Sequence, residues 1–427
     1  MTDSSILRKK ISDGEYQARF LELYEDNIIA NKQSARYTNA IEQFEKLYGK
    51  EDICIFSAPG RSEIGGNHTD HQHGEVLAAS INLDAIGIIA KTNDGIVRIV
   101  SEGYEEISID SSDLTKHPDE EGTTAALIRG VLAGVANRGY KVGGFKGYVT
   151  SDVLIGAGLS SSAAFEVLIG YITSQLYNSG VIDPVTIAII GQYAENEYFG
   201  KPCGLMDQSA CSVGNMVHID FAKPDSPIVE KIDYDMSKSG YSLCITDTKG
   251  SHANLTHEYA AIPQEMKAVA GFFGKEVLLG VTMNDLLDNS QALRENFKDR
   301  AFLRAIHLVC ENERVRKEVT ALQSEDFDAF LKQVKASGDS SYKYLQNVYT
   351  SSDITHQNVS VALAVSDAIL SDGNGVSRVH GGGFAGTIQA FVKDTAVADY
   401  KNTMDSLFGE DSCEILKIRK EGGTTVM

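Results

Sequence analysis

The chain has 427 residues, enough for one large or two ordinary domains, and a formal net charge of −20. So acidic a surface repels phosphate backbones and anionic lipids, which makes nucleic acid and membranes poor partners but leaves room for a local basic pocket. Hydrophobic residues form 42% of the chain, ample material for a buried core.

The first half of the chain alternates helical and β patterns. Apolar residues at helical spacing predict an amphipathic helix within residues 1–50. Predicted strands follow at 53–57, 76–81, 86–90 and 96–100, with Asn93-Asp94-Gly95 as a hairpin turn. Then come helix 127–138, strand 144–150, and helices 159–177 and 184–199.

The second half changes pattern near residues 215–225, so we place two domains at 1–218 and 219–427. Its predicted strands are 217–221, 241–246, 376–380, 386–392 and 413–418. Its predicted helices are 251–273, several within 283–337, 358–370 and 395–408. The fold class that follows is α+β, with two mixed layers.

Six scattered cysteines without a C-x-x-C pair predict buried, reduced thiols. The N-terminus lacks the apolar core of a secretion signal, and no uncharged apolar run is long enough to cross a bilayer. We therefore expect a cytoplasmic protein. The choice between a monomer and a weak homodimer stays open.

A glycine–serine loop, G-A-G-L-S-S-S-A at residues 156–163, leads directly into a predicted helix. Glycines let backbone N–H groups approach a ligand, and a helix N-terminus favours phosphate. Serine capping is the ordinary alternative, but a cap does not need three consecutive serines. The loop fits neither the Walker nor the dinucleotide pattern. It predicts a phosphate site.

A polar cluster at residues 58–74 contains four glycines and three histidines, and its glycines predict a turn. The first interpretation is a polyol site, in which Asp70 accepts hydrogen bonds from two hydroxyls and Arg61 supplies a fixed cation. The second is a solvated surface loop. The third is a metal site, although zinc-ligand spacing is missing. We prefer them in that order.

A third cluster, C-G-L-M-D-Q at residues 203–208, places Asp207 beside apolar neighbours. A carboxylate is costly there unless it has a partner. A helix N-cap is the alternative interpretation, and it leaves the apolar neighbours unexplained.

Together these clusters resemble the GHMP kinase superfamily and, within it, the galactokinases. The galactokinase signature P-G-R-V-N-L-I-G-E-H-T-D-Y is followed, with changes, from residue 59 onward. G-x-G-L-S-S-S-A is matched at 156–163, C-G-I-M-D-Q at 203–208 with one change, and G-G-G-F-G-G at 381–386 with one change. The resemblance implies a two-domain α+β fold, with an N-terminal domain like ribosomal protein S5 domain 2, a ferredoxin-like C-terminal domain and the active site between them.

The resemblance also implies a reaction, the transfer of a phosphoryl group from ATP, with Mg²⁺, to the C1 hydroxyl of a galactose-type sugar. Asp207 matches the catalytic aspartate, and Arg61 matches the arginine that pairs with it. Ser162 and Glu195 match the Mg²⁺ ligands. The matching sugar contacts are Asn67, His68, Asp70, Gly204 and Tyr259. The matching nucleotide contacts are Gly156, Gly158, Leu159, Ser160, Ser161, Ser162, Gly382 and Gly383. Asp207 would remove the C1 proton as a base or only orient the hydroxyl.

Three residues depart from the family's sugar motif: Glu63 replaces an asparagine, Asn67 an acid that reaches the C6 hydroxyl, and His71 a tyrosine. Loss of the acid relaxes the rejection of a C6 carboxylate. Galacturonokinases also lack that acid and carry a D-H-Q run like residues 70–72. We favour galactose, with galacturonate as the alternative. A non-catalytic sugar sensor would have a damaged phosphate loop or lack the aspartate, and both are intact here.

Overall fold

The computed structural model describes residues 1–154, 158–224, 226–250 and 255–427. Its strands are β1 (Thr2–Asp3), β2 (Asp52–Gly65), β3 (Glu75–Lys91), β4 (Ile96–Ser101), β5 (Glu106–Asp110), β6 (Phe145–Ser151), β7 (Met216–Asp220), β8 (Ile228–Ile232), β9 (Tyr241–Asp247), β10 (Gly375–Val379), β11 (Thr387–Lys393), β12 (Cys413–Leu416) and β13 (Thr424–Thr425). Its helices are α1 (Ser4–Ser12), α2 (Gln17–Tyr24), α3 (Asn27–Tyr48), α4 (Thr124–Asn137), α5 (Ser161–Asn178), α6 (Pro184–Tyr193), α7 (Met206–Val213), α8 (Thr256–Phe272), α9 (Met283–Asp288), α10 (Ser290–Gln323), α11 (Phe327–Ser340), α12 (Asn358–Ile369) and α13 (Val397–Phe408).

Short polar side chains fix where several helices begin. Asp3, Asp26, Thr123 and Asp183 precede α1, α3, α4 and α6, and each accepts a hydrogen bond from backbone N–H in the first turn. Those N–H groups have no partner within the helix, so the caps supply one.

The larger sheet is built on β2 and β3, which pair antiparallel. Its order is β1-β2-β3-β6-β4-β5, while β7 joins β3 to β8 and β13 pairs with β2. Side chains alternate between the faces of a strand. Ile88 accordingly packs with Phe20 and Phe44 of the N-terminal helices, and Ile89 packs in the core with Val131 and Ile172 of α4 and α5. Both faces of this sheet are therefore buried.

The smaller sheet has the antiparallel order β10-β11-β9-β12. On one face, Tyr400 and Met404 of α13 pack with Val392. On the other, Phe391 meets Phe330 of α11 with ring centroids 5.3 Å apart, and both belong to the main core. The predicted α+β class is confirmed.

The polar cluster at residues 58–74 differs most from its prediction. We predicted a turn, but β2 continues to Gly65 and is interrupted only by two bulges. Its glycines serve close packing instead, because a Cβ on Gly60 would lie 2.8 Å from the carbonyl oxygen of Leu159. A 3₁₀ turn, Asp70–Gln72, follows after the strand has ended.

Other differences are smaller. The segments predicted at 76–81 and 86–90 form one strand, β3, and the helix predicted within 1–50 is three helices. Sequence patterns missed β5 and β8, short strands whose side chains are mostly exposed or half-buried. The helix predicted from residue 251 is described from Thr256 onward, and residues 251–254 lie outside the described ranges.

The predicted domain boundary between residues 218 and 219 falls inside β7. β8 extends the same sheet, and β13 returns from the far end of the chain to pair with β2. Segments on both sides of the boundary thus complete the larger sheet. The division into domains at 1–218 and 219–427 stays a prediction.

No described helix is long and apolar enough to cross a membrane. All six cysteines lie in the described ranges and are free thiols. Burial was predicted for them, but Cys54, Cys203 and Cys310 are only half-buried.

Asp84, in the middle of β3, is fully buried and joins distant parts of the chain. Its carboxylate accepts hydrogen bonds from Arg36 at 2.6 Å, Tyr24 at 2.8 Å and Arg419 at 3.0 Å, and also from Ser57. Burial raises the pKa of Asp84, but the charges of Arg36 and Arg419 lower it by more, so the pKa lies below its ordinary value. The N-terminal helices, both central strands and the C-terminal segment therefore meet at one carboxylate.

We expect Arg419→Met to destabilise the protein by about 3–5 kcal/mol, because it leaves a buried carboxylate short of a cation. The matched control is Arg98→Met, which breaks a partly exposed Arg98–Asp94 pair of 2.6 Å and should cost less than about 1 kcal/mol. Urea denaturation of both variants measures the difference. Equal shifts would contradict the role given to Asp84.

Candidate active site

Arg61 and Asp207, the two residues predicted as catalytic, are in direct contact. Arg61 lies near the end of β2, and Asp207 is in the first turn of α7. Arg61 Nε and Nη2 each lie 2.8 Å from Oδ1 of Asp207. The side chain of Arg61 is 10% exposed and that of Asp207 30%, so the carboxylate keeps an open side. The positive end of α7 adds to the stabilisation of its charge.

Arg61 also holds the glycine–serine loop. Its Nη1 donates to the carbonyl oxygen of Gly158 at 2.5 Å, and its backbone N–H donates to that of Leu159 at 3.0 Å. Burial lowers the pKa of Arg61, but the nearby Asp207 carboxylate raises it by more, so the pKa lies above its ordinary value. One permanent cation therefore fixes both the carboxylate and the loop.

The loop presents the N-terminus of α5. Gly158 and Ser160 have φ angles of 69° and 59°, in the left-handed region. Ser160 precedes the helix but does not cap it, because its Oγ donates to Oδ2 of Asp207. Leu159 is fully buried and offers only its backbone. Helix N–H groups without a side-chain cap suit an anion. Gly156 lies outside the described residues.

Ser162 and Glu195, the predicted Mg²⁺ ligands, are neighbours. Ser162 Oγ donates to Oε1 of Glu195 at 3.3 Å. Glu195 is 2% exposed and belongs to a π turn, Ala194–Phe199, that prolongs α6. Two oxygens at this spacing fit adjacent positions around an octahedral Mg²⁺. Within the described ranges, no three His, Cys, Asp or Glu residues form a metal cluster.

Three further residues surround Glu195 and were not singled out in the sequence: Gln208, Glu166 and Lys201. Gln208 Nε2 donates to Oε2 of Glu195 and to Oε2 of Glu166, both at 2.9 Å. Burial raises the pKa of Glu166 well above its ordinary value, and the charge of Glu195 raises it further. Lys201 Nζ lies 2.8 Å from Oε1 of Glu195. Gln208 closes the C-G-L-M-D-Q motif, which was the available signal for it.

A cavity of about 170 Å³ lies beside the Arg61–Asp207 pair. Arg61, His68 and Asp70 line it together with Gly381 and Gly382. Pockets for drug-sized ligands are larger, so its size suits a small polyol.

Gly204, a predicted sugar contact, allows Asp70 to come close to the turn before α7. A Cβ on Gly204 would lie 3.2 Å from Oδ2 of Asp70. The Asp70 side chain is 23% exposed, so it can accept hydrogen bonds from a bound hydroxyl.

Asn67 lies at the edge of the cavity, but its amide is committed to the protein. Nδ2 donates to Glu63 at 3.1 Å and to the carbonyl oxygen of Gly381 at 2.7 Å. Oδ1 accepts from Ser341 at 3.2 Å and from Asn347 at 2.8 Å. All four hydrogen-bonding positions are thus occupied, and the residue is fully buried. In this arrangement Asn67 holds the glycine turn, and its contact with a sugar stays a prediction.

The galactokinase motif has an acid at position 67, whereas this chain has its acid at position 63, as Glu63. Its Oε1 lies 2.5 Å from Nη2 of Arg378, and both residues are buried. Arg378 Nη1 also donates to the carbonyl oxygen of Ile64 at 2.6 Å. The amide and the acid have exchanged positions 63 and 67 relative to the motif, and Arg378 takes up the charge of the acid.

Two residues of the glycine turn at 381–383, Gly381 and Gly382, line the cavity of about 170 Å³. His68 Nε2 donates to the carbonyl oxygen of Gly382 at 3.0 Å, and Tyr259 donates through its hydroxyl to that of Gly383 at 2.8 Å. The Tyr259 ring packs against Gly382, where a Cβ would lie 2.7 Å from it. Tyr259 thus supports the turn. Contact between the nucleotide and Gly382 or Gly383 stays a prediction.

A larger cavity of about 730 Å³ adjoins the loop, with Ser161 at its wall. Its apolar residues are Leu83, Ala85, Val149, Val153, Leu154 and Phe165. Its polar rim is formed by Ser101, Glu102, Thr150, Ser151, Asp152 and Glu414, with Tyr104 also at the edge. An apolar pocket with a few polar groups beside a phosphate site suits a nucleobase. Sequence reasoning missed it because its walls come from widely separated segments.

The chain matches the family models for the galactokinase galactose-binding signature over residues 42–91 and the GHMP kinases N terminal domain over residues 126–215. It is 32% identical over 361 residues to the galactokinase of Actinobacillus pleuropneumoniae serotype 3, covering 84% of this chain and 90% of that one. It is 29% identical over 367 residues to the galactokinase of Streptomyces coelicolor, covering 86% and 92%. The crystal structure of Lactococcus lactis galactokinase complexed with galactose aligns with a TM-score of 0.74 and 22% identity, over 90% of this chain and 98% of that one. The predicted GHMP kinase fold is confirmed.

The pKa of His68, whose ring donates to the glycine turn, can be tested through the pH dependence of stability. Burial lowers the pKa of His68 from 6.5 to about 4. Between these values the unfolded chain binds a proton that the folded protein does not, so folding stability falls as the pH drops. We expect the unfolding free energy of wild type relative to His68→Asn to decrease from pH 6.5 to pH 4. Urea denaturation across this range measures it, and a difference independent of pH would contradict the lowered pKa of His68.

Proposed function

Because this chain belongs to the galactokinase family of sugar kinases, we propose that it transfers the γ-phosphoryl group of ATP to the C1 hydroxyl of galactose. The observation that carries the proposal is the position of Arg61. Its guanidinium lines the sugar-sized cavity and binds both Asp207 and the carbonyl oxygen of Gly158. The acceptor site and the phosphate loop therefore share one rigid cation.

In the proposed reaction, Asp207 orients the C1 hydroxyl and receives its proton. Arg61 and Ser160 hold the carboxylate in place through both of its oxygens. The C1 oxygen forms a bond to the γ-phosphorus while the bond from that phosphorus to the β–γ bridging oxygen breaks, and ADP leaves. Such a transfer depends mainly on positioning and on charge stabilisation.

ATP would lie along α5, with its phosphates on the loop at Gly158–Ser162 and its base in the cavity of about 730 Å³. Ser162 and Glu195 would hold the metal ion, which we take to be Mg²⁺ because both ligands are oxygen atoms. When bound, the metal offsets the negative charge on the phosphoryl oxygens.

Galacturonate is the second candidate substrate, and the exchange of Asn67 and Glu63 favours it. In the galactokinases the position of Asn67 carries an acid that would repel a C6 carboxylate. Here that position is neutral, and the charge of Glu63 is held by Arg378. A uronate therefore meets less repulsion than the family motif would impose.

A coupled ADP-release assay with galactose, galacturonate, N-acetylgalactosamine, glucose and arabinose tests the proposal. We expect turnover with galactose and an anomeric phosphate in the ³¹P spectrum of the product. Turnover with galacturonate alone would change the substrate and leave the kinase standing. Tight sugar binding without turnover would support a sensor instead.

Replacing Asp207 by asparagine should lower kcat by roughly 10²- to 10⁴-fold, because the group that accepts the proton is lost. ATP binding should be retained. Asp399→Asn is the matched control, since Asp399 lies in the first turn of an unrelated helix, α13. Steady-state kinetics and ATP titration check both variants. Near-normal turnover in Asp207→Asn would remove this residue from the mechanism.

A further inference from the structure

Lys201 places an ammonium group on a candidate metal ligand. Its Nζ lies 2.8 Å from Oε1 of Glu195, the same oxygen that accepts the hydrogen bond from Ser162. The Lys201 side chain is 61% exposed, whereas that of Glu195 is 2% exposed. A buried carboxylate is thus paired with a cation that has a flexible stem and open access to solvent.

The other groups around Glu195 cannot take over this pairing. Gln208 and Ser162 are uncharged donors, and Glu166 is itself an acid. Arg61, the other cation of the centre, is engaged by Asp207 and by the loop. Within the described part of the chain, Lys201 is therefore the cation available to Glu195.

The ammonium and a metal ion compete for one oxygen. Mg²⁺ requires ligand oxygens at about 2.0–2.1 Å, and an ammonium on the same oxygen would place two positive charges in close contact. Glu195 also cannot be left unpaired, because an isolated buried carboxylate is costly. Binding of both cations to this oxygen is therefore disfavoured, and exchange of one for the other avoids their repulsion.

We propose that Lys201 is a placeholder cation, which neutralises Glu195 before metal arrives and gives up the carboxylate when the metal binds. It acts through Glu195 and is a positioning residue. The metal-ligand role of Glu195 is part of the proposed function, on which this inference rests. The affinity for the metal is lowered because the ion pair between Lys201 and Glu195 must be broken. The same ion pair stabilises the protein without metal.

The test is Lys201→Met, which keeps most of the side-chain stem and removes the ammonium. Titration of Mn²⁺ into the full-length protein with a non-hydrolysable ATP analogue, followed by electron paramagnetic resonance, should show roughly three- to tenfold tighter metal binding than wild type. Without metal, Lys201→Met should have a lower Tm than wild type, and MgCl₂ should raise its Tm by a larger amount.

Two variants serve as controls. Lys317→Met breaks a pair of similar geometry, with Nζ 2.7 Å from Glu313 and a lysine side chain 56% exposed, at a distant site on α10. It should leave metal affinity unchanged. Lys201→Arg keeps the positive charge and should bind Mn²⁺ like wild type. If Lys201→Met does not fold, Lys201→Gln provides the comparison, because its amide can still donate to Glu195.

Unchanged Mn²⁺ affinity in the folded variant that lacks the ammonium would overturn the placeholder role, as would equal tightening in Lys317→Met. Neither readout depends on sugar turnover. A protein that phosphorylates galactose but shows no change on loss of Lys201 would refute this inference alone. A protein with no kinase activity but tighter metal binding in the variant would refute the proposed function alone.

Discussion

A guanidinium as deeply buried as that of Arg61 must find acceptors for its N–H groups within the protein. It finds them on Asp207 and Gly158, which lie 146 and 97 residues further along the chain. Loss of either acceptor would leave a buried charge incompletely paired, so β2, α7 and the loop are tied to one relative geometry. The contact that aligns the proposed reactants is also one that the fold needs.

The carboxylates near Arg61 are likewise paired with cations, although the chain as a whole is strongly acidic. Three carboxylates of the centre each have their own cation: Asp207 with Arg61, Glu63 with Arg378, and Glu195 with Lys201. In the proposed reaction, a triphosphate would therefore meet side-chain cations that are already paired. Its charge would be met by helix N–H groups and by the metal ion, in agreement with the proposed cation site next to the N-terminus of α5.

Residues that act through short motifs could be found in the sequence. Arg61, Asp207, Ser162 and Glu195 come together as the motif order implied. The hydrogen bonds that Asn67 accepts could not be predicted, because their donors lie more than 270 residues away and no local pattern reveals them. Glycines in the polar cluster suggested a turn by composition, but Gly60 and Gly65 lie within β2, where they allow close packing. The cavity of about 730 Å³ escaped notice for a similar reason, since its walls meet only after folding.

The contact between Ser57 and Arg419 spans 362 residues, and it belongs to the group that surrounds Asp84. At 5–20 residues per second, the ribosome needs roughly 20–70 s to synthesise that stretch. During this interval β2 and β3 exist without β13 and without the second cation of their buried carboxylate. Late pairing of such distant segments slows folding and prolongs the exposure of apolar strands. The sheet that contains the first strands to be synthesised is thus among the last parts of the molecule to be completed.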